Sequence, residues 1–320
     1  MKLVEQRELF DKSNKIYESS KLKFIGTDGF DVYNSSIPFD WKGKKYIFGR
    51  IERRGEWARS WVRLFEETGP DEWTLIQNEM IYQLEDPYIA IIDEEIILGG
   101  THVRKKQEKI DTYYGYFYSG KNIHDLYYFT TGPEHMKDIR LVELSNKKIG
   151  VFTRPRGEEI RYLYGSESIV GFAIINNIKE LNADVIENAV KIDGLFEKDE
   201  WGGCNQCYYL ESGKIGVIGH KCYKKTDENG LDILVYMNMS FIYDMEAHKA
   251  LNVKIIGTRN SYPDGPAKIP ALIDCAFTSG IVMRDDGKVD LYSGIGDTEV
   301  GRIVIDYPFE GFGKIIKVGE

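Results

Sequence analysis

Short apolar stretches recur along the chain, and each is followed by a turn and a second short apolar stretch. Apolar positions that alternate or run together over a few residues, joined by Gly, Asn, Asp or Lys, predict β-hairpins. Five hairpins are predicted in this way, with the sequences SSIPFDWKGKKYIFGR, YIAIIDEEIILGG, RLVELSNKKIGVFTRP, CYYLESGKIGVIGHK and GIVMRDDGKVDLYSGIG. Further strand-like sequence follows the hairpins, so each one predicts a sheet of three or four strands.

The hairpins recur at intervals that suit one propeller blade each. Corresponding positions in their second strands are Lys45, Glu95, Lys148, Lys214 and Lys288, at intervals of 50, 53, 66 and 74 residues. Two β-sandwiches would also give short strands at regular spacing, but they do not require one hairpin type to recur five times. The pattern therefore predicts an all-β fold: a five-bladed β-propeller with antiparallel four-stranded blades, which takes up residues 1–320 as a single domain.

Two segments show helical spacing. Residues 3–18 place Leu9, Phe10 and Ile16 among charged residues, which predicts an N-terminal arm over residues 1–20. The segment Trp57–Phe65 fits helical spacing and strand alternation equally well. Because it follows the first hairpin, we interpret it as a strand.

Composition agrees with the β class and restricts the partners. The 32 Gly, 21 Tyr and 15 Phe, against 9 Pro, suit many short strands and turns. The formal net charge of -9 would repel a phosphate backbone, so no nucleic-acid partner is expected. No stretch has the apolar length of a signal peptide or a membrane span, so we expect a cytoplasmic protein with no membrane partner. The sequence leaves the oligomeric state open.

Four cysteines are too few and too clustered for a disulfide framework, so reduced thiols are expected. Cys204, Cys207, His220 and Cys222 have a spacing that could supply four zinc ligands. Residues three apart in a strand point to opposite faces unless a bulge intervenes, so buried thiols are the preferred interpretation. No metal site is assigned, although carboxylates in the channel could also bind a hard cation, and the candidates are Asp86, Asp274 and Asp297.

Polar residues of the predicted inner strands are the candidates for a functional site. The innermost strands of a propeller converge on a central channel, so polar side chains at their starts face one another across a concave site. These starts supply Asn34, Ser35, Glu85, Asp86, Lys137, Asp138, Asn205 and Asp274. The ends of the second strands supply Arg50, Arg154, His220 and Asp297.

The pair Glu85–Asp86 opens the apolar strand YIAII, where carboxylates are unusual and costly to bury without partners. The alternative interpretation is that Asp86 and Pro87 only initiate a turn. Cleavage of a glycosidic bond needs one carboxylic acid to protonate the leaving oxygen, and a second group to activate or replace water. Cations beside such an acid suit an attacking phosphate, because Arg and Lys hold phosphate oxygens through charge-assisted hydrogen bonds.

Several short motifs, in their order along the chain, resemble glycoside hydrolase family 130. These motifs are YNSS, GR at Arg50, LEDP, KD at Lys137, FTRP, GH at His220 and SGIGDTEVG. That family comprises five-bladed mannoside phosphorylases and mannosidases, within a superfamily that includes arabinanases and invertases. More closely, the whole chain resembles a domain family of unknown function that is related to those enzymes.

The resemblance implies a role for each matching residue. It makes Asp86 the general acid and assigns sugar binding to Asn34, Ser35, Arg50 and Asp297. It gives the cations that hold phosphate in a phosphorylase as Lys137, Arg154 and His220. The family continues its acid motif as Asp-Pro-Arg, whereas Tyr88 stands in the third position here.

The expected function is that of an inverting glycosidase or glycoside phosphorylase acting on a β-mannoside-like substrate. In the hydrolytic version Glu85, Asp138 or another carboxylate activates water; in the phosphorolytic version inorganic phosphate is the co-substrate. Neither version needs an organic cofactor. The alternative is a propeller that binds a glycan or a protein without turnover, and the departure at Tyr88 is its best support.

Overall fold

Strands form the framework of the structure, a computed structural model that describes residues 2–13 and 15–316. The chain begins with helix α1 (Leu3–Lys12) and strand β1 (Glu18–Lys21). The first sheet contains β2 (Lys23–Ile25), β3 (Asp31–Tyr33), β4 (Phe39–Trp41), β5 (Lys44–Glu52), β6 (Trp61–Gly69) and β7 (Glu72–Leu75). The second contains β8 (Glu85–Ile92), β9 (Glu95–Lys106), β10 (Lys109–Gly120) and β11 (Tyr127–Thr131).

Three further sheets follow along the chain. The third contains β12 (Arg140–Glu143), β13 (Ile149–Thr153), β14 (Val170–Ile175) and β15 (Val190–Ile192). The fourth contains β16 (Trp201–Tyr209), β17 (Ile215–Thr226), β18 (Asp232–Asp244) and β19 (Lys249–Gly257). The fifth contains β20 (Ala276–Met283), β21 (Val289–Ile295), β22 (Glu299–Ile305) and the N-terminal β1.

This arrangement confirms the five-bladed propeller. Each predicted hairpin forms the two inner strands of one sheet, namely β4–β5, β8–β9, β12–β13, β16–β17 and β20–β21. In the first blade the innermost strand is split into β3 and β4, which both pair with β5. The same blade gains an extra edge strand, because β2 pairs with β7 in parallel.

The N-terminal segment closes the ring. Strand β1 pairs with β22, so the fifth blade takes its outermost strand from the start of the chain. Contacts between β3 and both β21 and β22 join the fifth blade to the first. Helix α1 packs on β19, and its Arg7 donates two hydrogen bonds to Asp274, at 2.7 and 2.8 Å.

Short helices lie in the connections. Helix α2 (Glu158–Tyr164) lies between β13 and β14, and α3 (Ala183–Glu187) lies between β14 and β15. Three 3-10 turns cover Ile178–Glu180, Arg259–Ser261 and Pro270–Leu272. The segment predicted as a strand over Trp57–Phe65 becomes extended at Trp61, where β6 begins, and residues 57–60 form part of the preceding loop.

Hydrophobic clusters fill the interfaces between neighbouring blades. One cluster contains Phe152 of the third blade and Phe241 of the fourth, and another contains Ile97 of the second and Val151 of the third. Because the apolar side chains pack between the sheets, the propeller axis is left to polar residues. That is where the candidate site lies.

The cysteines belong to this packing. All four are free and buried. The pairing of β16 with β17 shifts between Cys204 and Gln206, and this bulge places both Cys204 and Cys207 in one apolar cluster. The bulge is the exception that the sequence pattern left open for this pair, and the thiols are buried, as preferred from the sequence. Among the described residues no group of three or more His, Cys, Asp or Glu side chains is placed to hold a metal ion.

None of the helices in residues 2–13 and 15–316 has the length and apolar character needed to cross a membrane.

Candidate active site

A cavity of about 870 Å³ opens at the propeller axis, and residues from all five blades line it. The predicted site residues that line this central cavity are Asn34, Arg50, Glu85, Asp86, Lys137, Arg154 and Asp297. Ser35, Asp138 and His220 are not part of the lining. The structure thus brings seven residues of the predicted set together in one cavity and leaves three outside its lining.

Asp86 is held in the cavity by the geometry of its strand. The pairing of β8 with β9 shifts between Glu85 and Tyr88, and Asp86 has a left-handed φ of 50°. Asp tolerates this backbone conformation better than most residues do. The bulge interrupts the ladder where the carboxylate reaches the cavity, as bulges beside active sites commonly do.

The two carboxylate oxygens of Asp86 have different surroundings. Oδ1 accepts hydrogen bonds from Asn34 Nδ2 and Arg50 Nη1, both at 2.9 Å. Oδ2 accepts no hydrogen bond from the described residues and lies 3.9 Å from Lys137 Nζ. One oxygen is therefore fixed by the protein, and the other is available to a ligand.

Arg50 organises the carboxylates on this side. Its guanidinium donates to Asp86, to Glu85 Oε1 at 3.0 Å and to Ser60 Oγ at 2.7 Å. Burial alone would lower the pKa of Arg50, but Glu85, Tyr33 and Asp86 outweigh it and raise the pKa well above its ordinary value. With these partners, Arg50 acts chiefly to position Asp86 and Glu85.

Asn34 lies between two carboxylates. Its Nδ2 donates to Asp86 Oδ1 at 2.9 Å and to Asp297 Oδ1 at 3.3 Å. Burial raises the pKa of Asp297 and of Glu85, and Arg50 offsets only part of that effect. Glu85 and Asp297 therefore keep their protons to a higher pH than exposed carboxyls would.

Close packing from the fifth blade fixes the position of Asn34. A Cβ added at Gly294 would lie 1.7 Å from Asn34 Oδ1 and 2.7 Å from its backbone nitrogen. No side chain larger than hydrogen fits there without displacing Asn34.

We therefore expect Gly294→Ala to remove activity and to lower the free energy of unfolding by about 1–3 kcal/mol, because the new methyl group overpacks the wall behind Asn34. Gly55→Ala is the matched control, since nothing lies within 4 Å of a Cβ at Gly55. Thermal melting and turnover of both variants check this. An active Gly294→Ala enzyme would show that the position of Asn34 is not required.

Three cations of the third blade reach the cavity with donors available. Arg154 donates Nη1 to Asp138 at 2.5 Å and Nε to Gly202 O at 2.6 Å, while Nη2 makes no hydrogen bond to the described residues. Lys137 Nζ lies 3.9 Å from Asp86 Oδ2, and this long contact is the ion pair that Lys137 makes in the part of the chain that the structure describes. Arg156 also lines the cavity, with its guanidinium 5.7 Å from the centre of the Tyr113 ring.

Asp138 and His220 lie behind Arg154. The Asp138 side chain is 1% exposed, and although burial opposes it, Arg154 with Lys137 holds the pKa of this carboxyl well below its ordinary range. His220 is fully buried, its Nδ1 is 2.6 Å from Asn205 Oδ1, and burial together with Arg154 lowers its pKa well below the ordinary value. His220 is therefore a neutral ring behind the wall rather than a cation facing the cavity, and Asp138 is a counter-ion of Arg154.

Two further sequence candidates lie outside the lining of the central cavity. Ser35 is 2% exposed, and its Oγ finds no partner within the described residues. Asp274 pairs with Arg7 and Lys225, so it does not share a cation site with Asp86 and Asp297. Tyr88, the departure from the Asp-Pro-Arg motif, is buried, and the Arg140 guanidinium lies 4.4 Å from the centre of its ring.

Sequence reasoning did not single out several lining residues, which include Trp57, Arg156, Arg161 and Tyr236. Tyr113 also lines the cavity, and its aromatic run was a possible sugar-stacking platform for which core packing between blades was the preferred interpretation. Arg156 stands two residues after Arg154 in the segment FTRPRG, so alternation along the chain was the available signal. Tyr113 belongs to the aromatic run TYYGYFYSG, where nothing in the sequence distinguishes a lining ring from a packed one. Arg161 lies on α2, which the hairpin pattern does not reveal.

Family membership follows from the extent of the match. Residues 8–311 match the family described as protein of unknown function (DUF1861). The chain belongs to the DUF1861 family. None of the curated proteins compared with it matches.

Two solved structures are similar to this DUF1861 chain over nearly all of its length. A mannose phosphorylase from Leishmania mexicana, in complex with phosphate ion, is 51% identical with a TM-score of 0.93, and the match covers 99% of this chain and 96% of that one. A GDP-Man-dependent mannosyltransferase from the same organism is 48% identical with a TM-score of 0.92, and the match covers 99% of this chain and 98% of that one.

A more distant structure shares the fold of the DUF1861 chain. It comes from work on the GH130 family of mannoside phosphorylases, which contains glycoside hydrolases that target β-1,2 mannosidic linkages in Candida mannan. It is 14% identical, with a TM-score of 0.57, and the match covers 90% of this chain and 87% of that one. The expected relation to GH130-like propellers is confirmed at the level of fold.

Proposed function

We propose that this protein is a carbohydrate-active enzyme, an inverting phosphorylase that cleaves a β-mannosidic bond with inorganic phosphate. The observation that carries the proposal is the asymmetric setting of Asp86, with Oδ1 fixed by Asn34 and Arg50 and Oδ2 open to the cavity beside Lys137. The similarity to a phosphate-bound mannose phosphorylase supports the choice of sugar and of phosphate.

Asp86 acts as the general acid in this proposal. The glycosidic C–O bond breaks as Oδ2 of the protonated carboxyl passes its proton to the leaving oxygen, directly or through a hydroxyl of the sugar. Asn34 and Arg50 keep the carboxyl in place during the transfer. Burial raises the pKa values of the neighbouring Glu85 and Asp297, so these two carboxyls hold their protons to a higher pH than exposed carboxyls do.

Phosphate is the attacking group on the third-blade side. Lys137, Arg154 Nη2 and Arg156 offer donors there, and charge-assisted hydrogen bonds from such cations suit phosphate oxygens. A phosphate oxygen bonds to the anomeric carbon as the leaving oxygen departs, which gives a sugar 1-phosphate with inverted configuration and a shortened saccharide. Arg156 replaces His220 in this assignment, because the ring of His220 is neutral and buried. No organic cofactor takes part.

Dependence on phosphate tests the proposal. We expect wild-type turnover of a β-mannoside to require phosphate and to release mannose 1-phosphate, detected by phosphorus NMR. Lys137→Met and Arg156→Met should each raise the KM for phosphate about tenfold or more, because each removes a charge-assisted contact. Lys147→Met is the control, since Lys147 pairs with Glu143 at the other end of the same blade.

Three results would contradict this assignment. Release of free mannose without phosphate would make the protein a hydrolase. Mannosyl transfer from GDP-mannose without phosphate would give it the activity of its other Leishmania relative. Sugar binding without turnover across a panel of mannosides would support the non-catalytic alternative.

A further inference from the structure

A second cavity adjoins the central one. It has a volume of about 460 Å³ and lies between the loop that precedes β6 and the far end of β9. Ala58 and Val103 line both cavities, so the two spaces share a wall. We call the second cavity the outer groove, with Glu56, Trp61 and His102 among its lining residues.

An aromatic row leads outward from the outer groove. The His102 ring is stacked on Tyr116 with centroids 4.5 Å apart, and Tyr116 lies 5.3 Å from Tyr128. Tyr128 is 51% exposed, and Trp61 in the groove is 37% exposed. The C–H faces of pyranose rings are apolar enough to pack on such rings while their hydroxyls stay hydrogen-bonded.

The charges of the outer groove favour a neutral ligand. Arg59 is paired with Glu108, and Arg104 is paired with Asp111 at 2.6 Å. Lys105, the third cation of the groove, donates Nζ to the carbonyl oxygen of Trp57 at 2.5 Å. Glu56 Oε1 lies 3.7 Å from Arg53 Nη1. Because each charged side chain of the groove already has a partner in the protein, the groove suits an uncharged polyhydroxylated chain better than a nucleoside diphosphate.

We propose that the outer groove and the row His102, Tyr116 and Tyr128 bind the distal units of an oligosaccharide whose terminal unit occupies the central cavity. This inference rests on the proposed function, because it takes the ligand of the central cavity to be a sugar. It predicts that the substrate is an oligosaccharide, and that its affinity increases as added sugar units extend towards Tyr128.

The test compares β-linked mannose oligosaccharides of two and six units at saturating phosphate. We expect the wild type to have a lower KM for the longer substrate. Trp61→Ala, His102→Ala and Tyr128→Ala should each raise the ratio of the two KM values, long over short, about tenfold, because each removes a ring that stacks on a sugar. Tyr127→Ala is the matched control, because Tyr127 neighbours Tyr128 on β11, points to the other face and bonds to Asp125.

The test distinguishes a failure of the groove proposal from a failure of the proposed function. If the wild type turns over no mannoside, the same variants are compared by calorimetric binding of the two oligosaccharides. A longer oligosaccharide that binds the wild type more tightly, with the gain lost in Tyr128→Ala and kept in Tyr127→Ala, supports the groove. Equal Kd or KM values for both lengths, or variants that raise the KM for GDP-mannose alone, overturn it.

Discussion

Replacing Asp86 with asparagine is expected to lower kcat/KM for phosphorolysis about a thousandfold, the usual contribution of a positioned general acid. The amide can keep its oxygen towards Asn34 and Arg50, which both donate to Oδ1 of the native carboxylate. The nitrogen then takes the place of Oδ2 and has no acidic proton to deliver. We therefore expect the folded state to persist, with catalysis lost.

The dependence on the leaving group distinguishes an acid from a structural residue. A glycoside with a nitrophenolate leaving group needs little protonation, so the loss in Asp86→Asn should shrink by at least an order of magnitude with that substrate. Thermal melting of the variant shows whether the fold is intact. A loss of the same size with both substrates would assign Asp86 to sugar binding.

Glu85→Gln is the matched control for the acid. Glu85 is the neighbouring carboxylate and accepts from the same guanidinium, through Arg50 Nη2 at 3.0 Å. We expect a smaller loss of kcat/KM than in Asp86→Asn, because phosphate rather than an activated water attacks in the proposed reaction. A larger loss in Glu85→Gln would give that residue the acid or base role.

The repeated hairpins made the fold predictable from sequence. Each blade begins with two strands joined by a tight turn, so the signal is local, and it survives in all five blades. The closing strand β1 left no such signal, because a four-residue edge strand with a polar sequence, ESSK, pairs with a strand at the other end of the chain. Helix α2 was also missed, since seven residues between two glycines carry little periodicity.

The sequence predicted which positions lie near the candidate site, but not which of their side chains face the cavity. Lys137 and Asp138 are adjacent in sequence, yet Lys137 lines the cavity and Asp138 lies behind Arg154. Which of two neighbours faces the axis depends on the backbone at the start of the strand, and Asp138 has a left-handed φ of 58°. Sequence alone does not fix that angle, so both residues were predicted to take part in the chemistry.

The counter-ion role of Asp138 gives the second large effect. We expect Asp138→Asn to lower the free energy of unfolding by about 3–5 kcal/mol, because it leaves a buried guanidinium without its partner. The Asp138 carboxylate is 2.5 Å from Arg154 Nη1 and 3.6 Å from Arg140 Nη2. Urea unfolding checks this value, and Asp286→Asn is the control, since the Asp286 side chain is 47% exposed beside Arg284.

The pH dependence of that loss has a definite sign. Because the native protein lowers the pKa of Asp138, its carboxylate contributes stability that is complete above the unfolded pKa of about 4. That contribution fades as the pH falls through the native pKa. The stability difference between wild type and Asp138→Asn should therefore be largest at neutral pH and shrink below about pH 4.

Activity data complete the distinction between a counter-ion and a base. Asp138→Asn removes the carboxylate charge that holds the Arg154 guanidinium in position. The KM for phosphate should therefore rise together with the loss of stability. A base that activates water would behave differently: its removal would abolish hydrolysis and leave the free energy of unfolding and the KM for phosphate unchanged. Since Asp138 is 1% exposed and lies outside the cavity lining, we expect the first pattern.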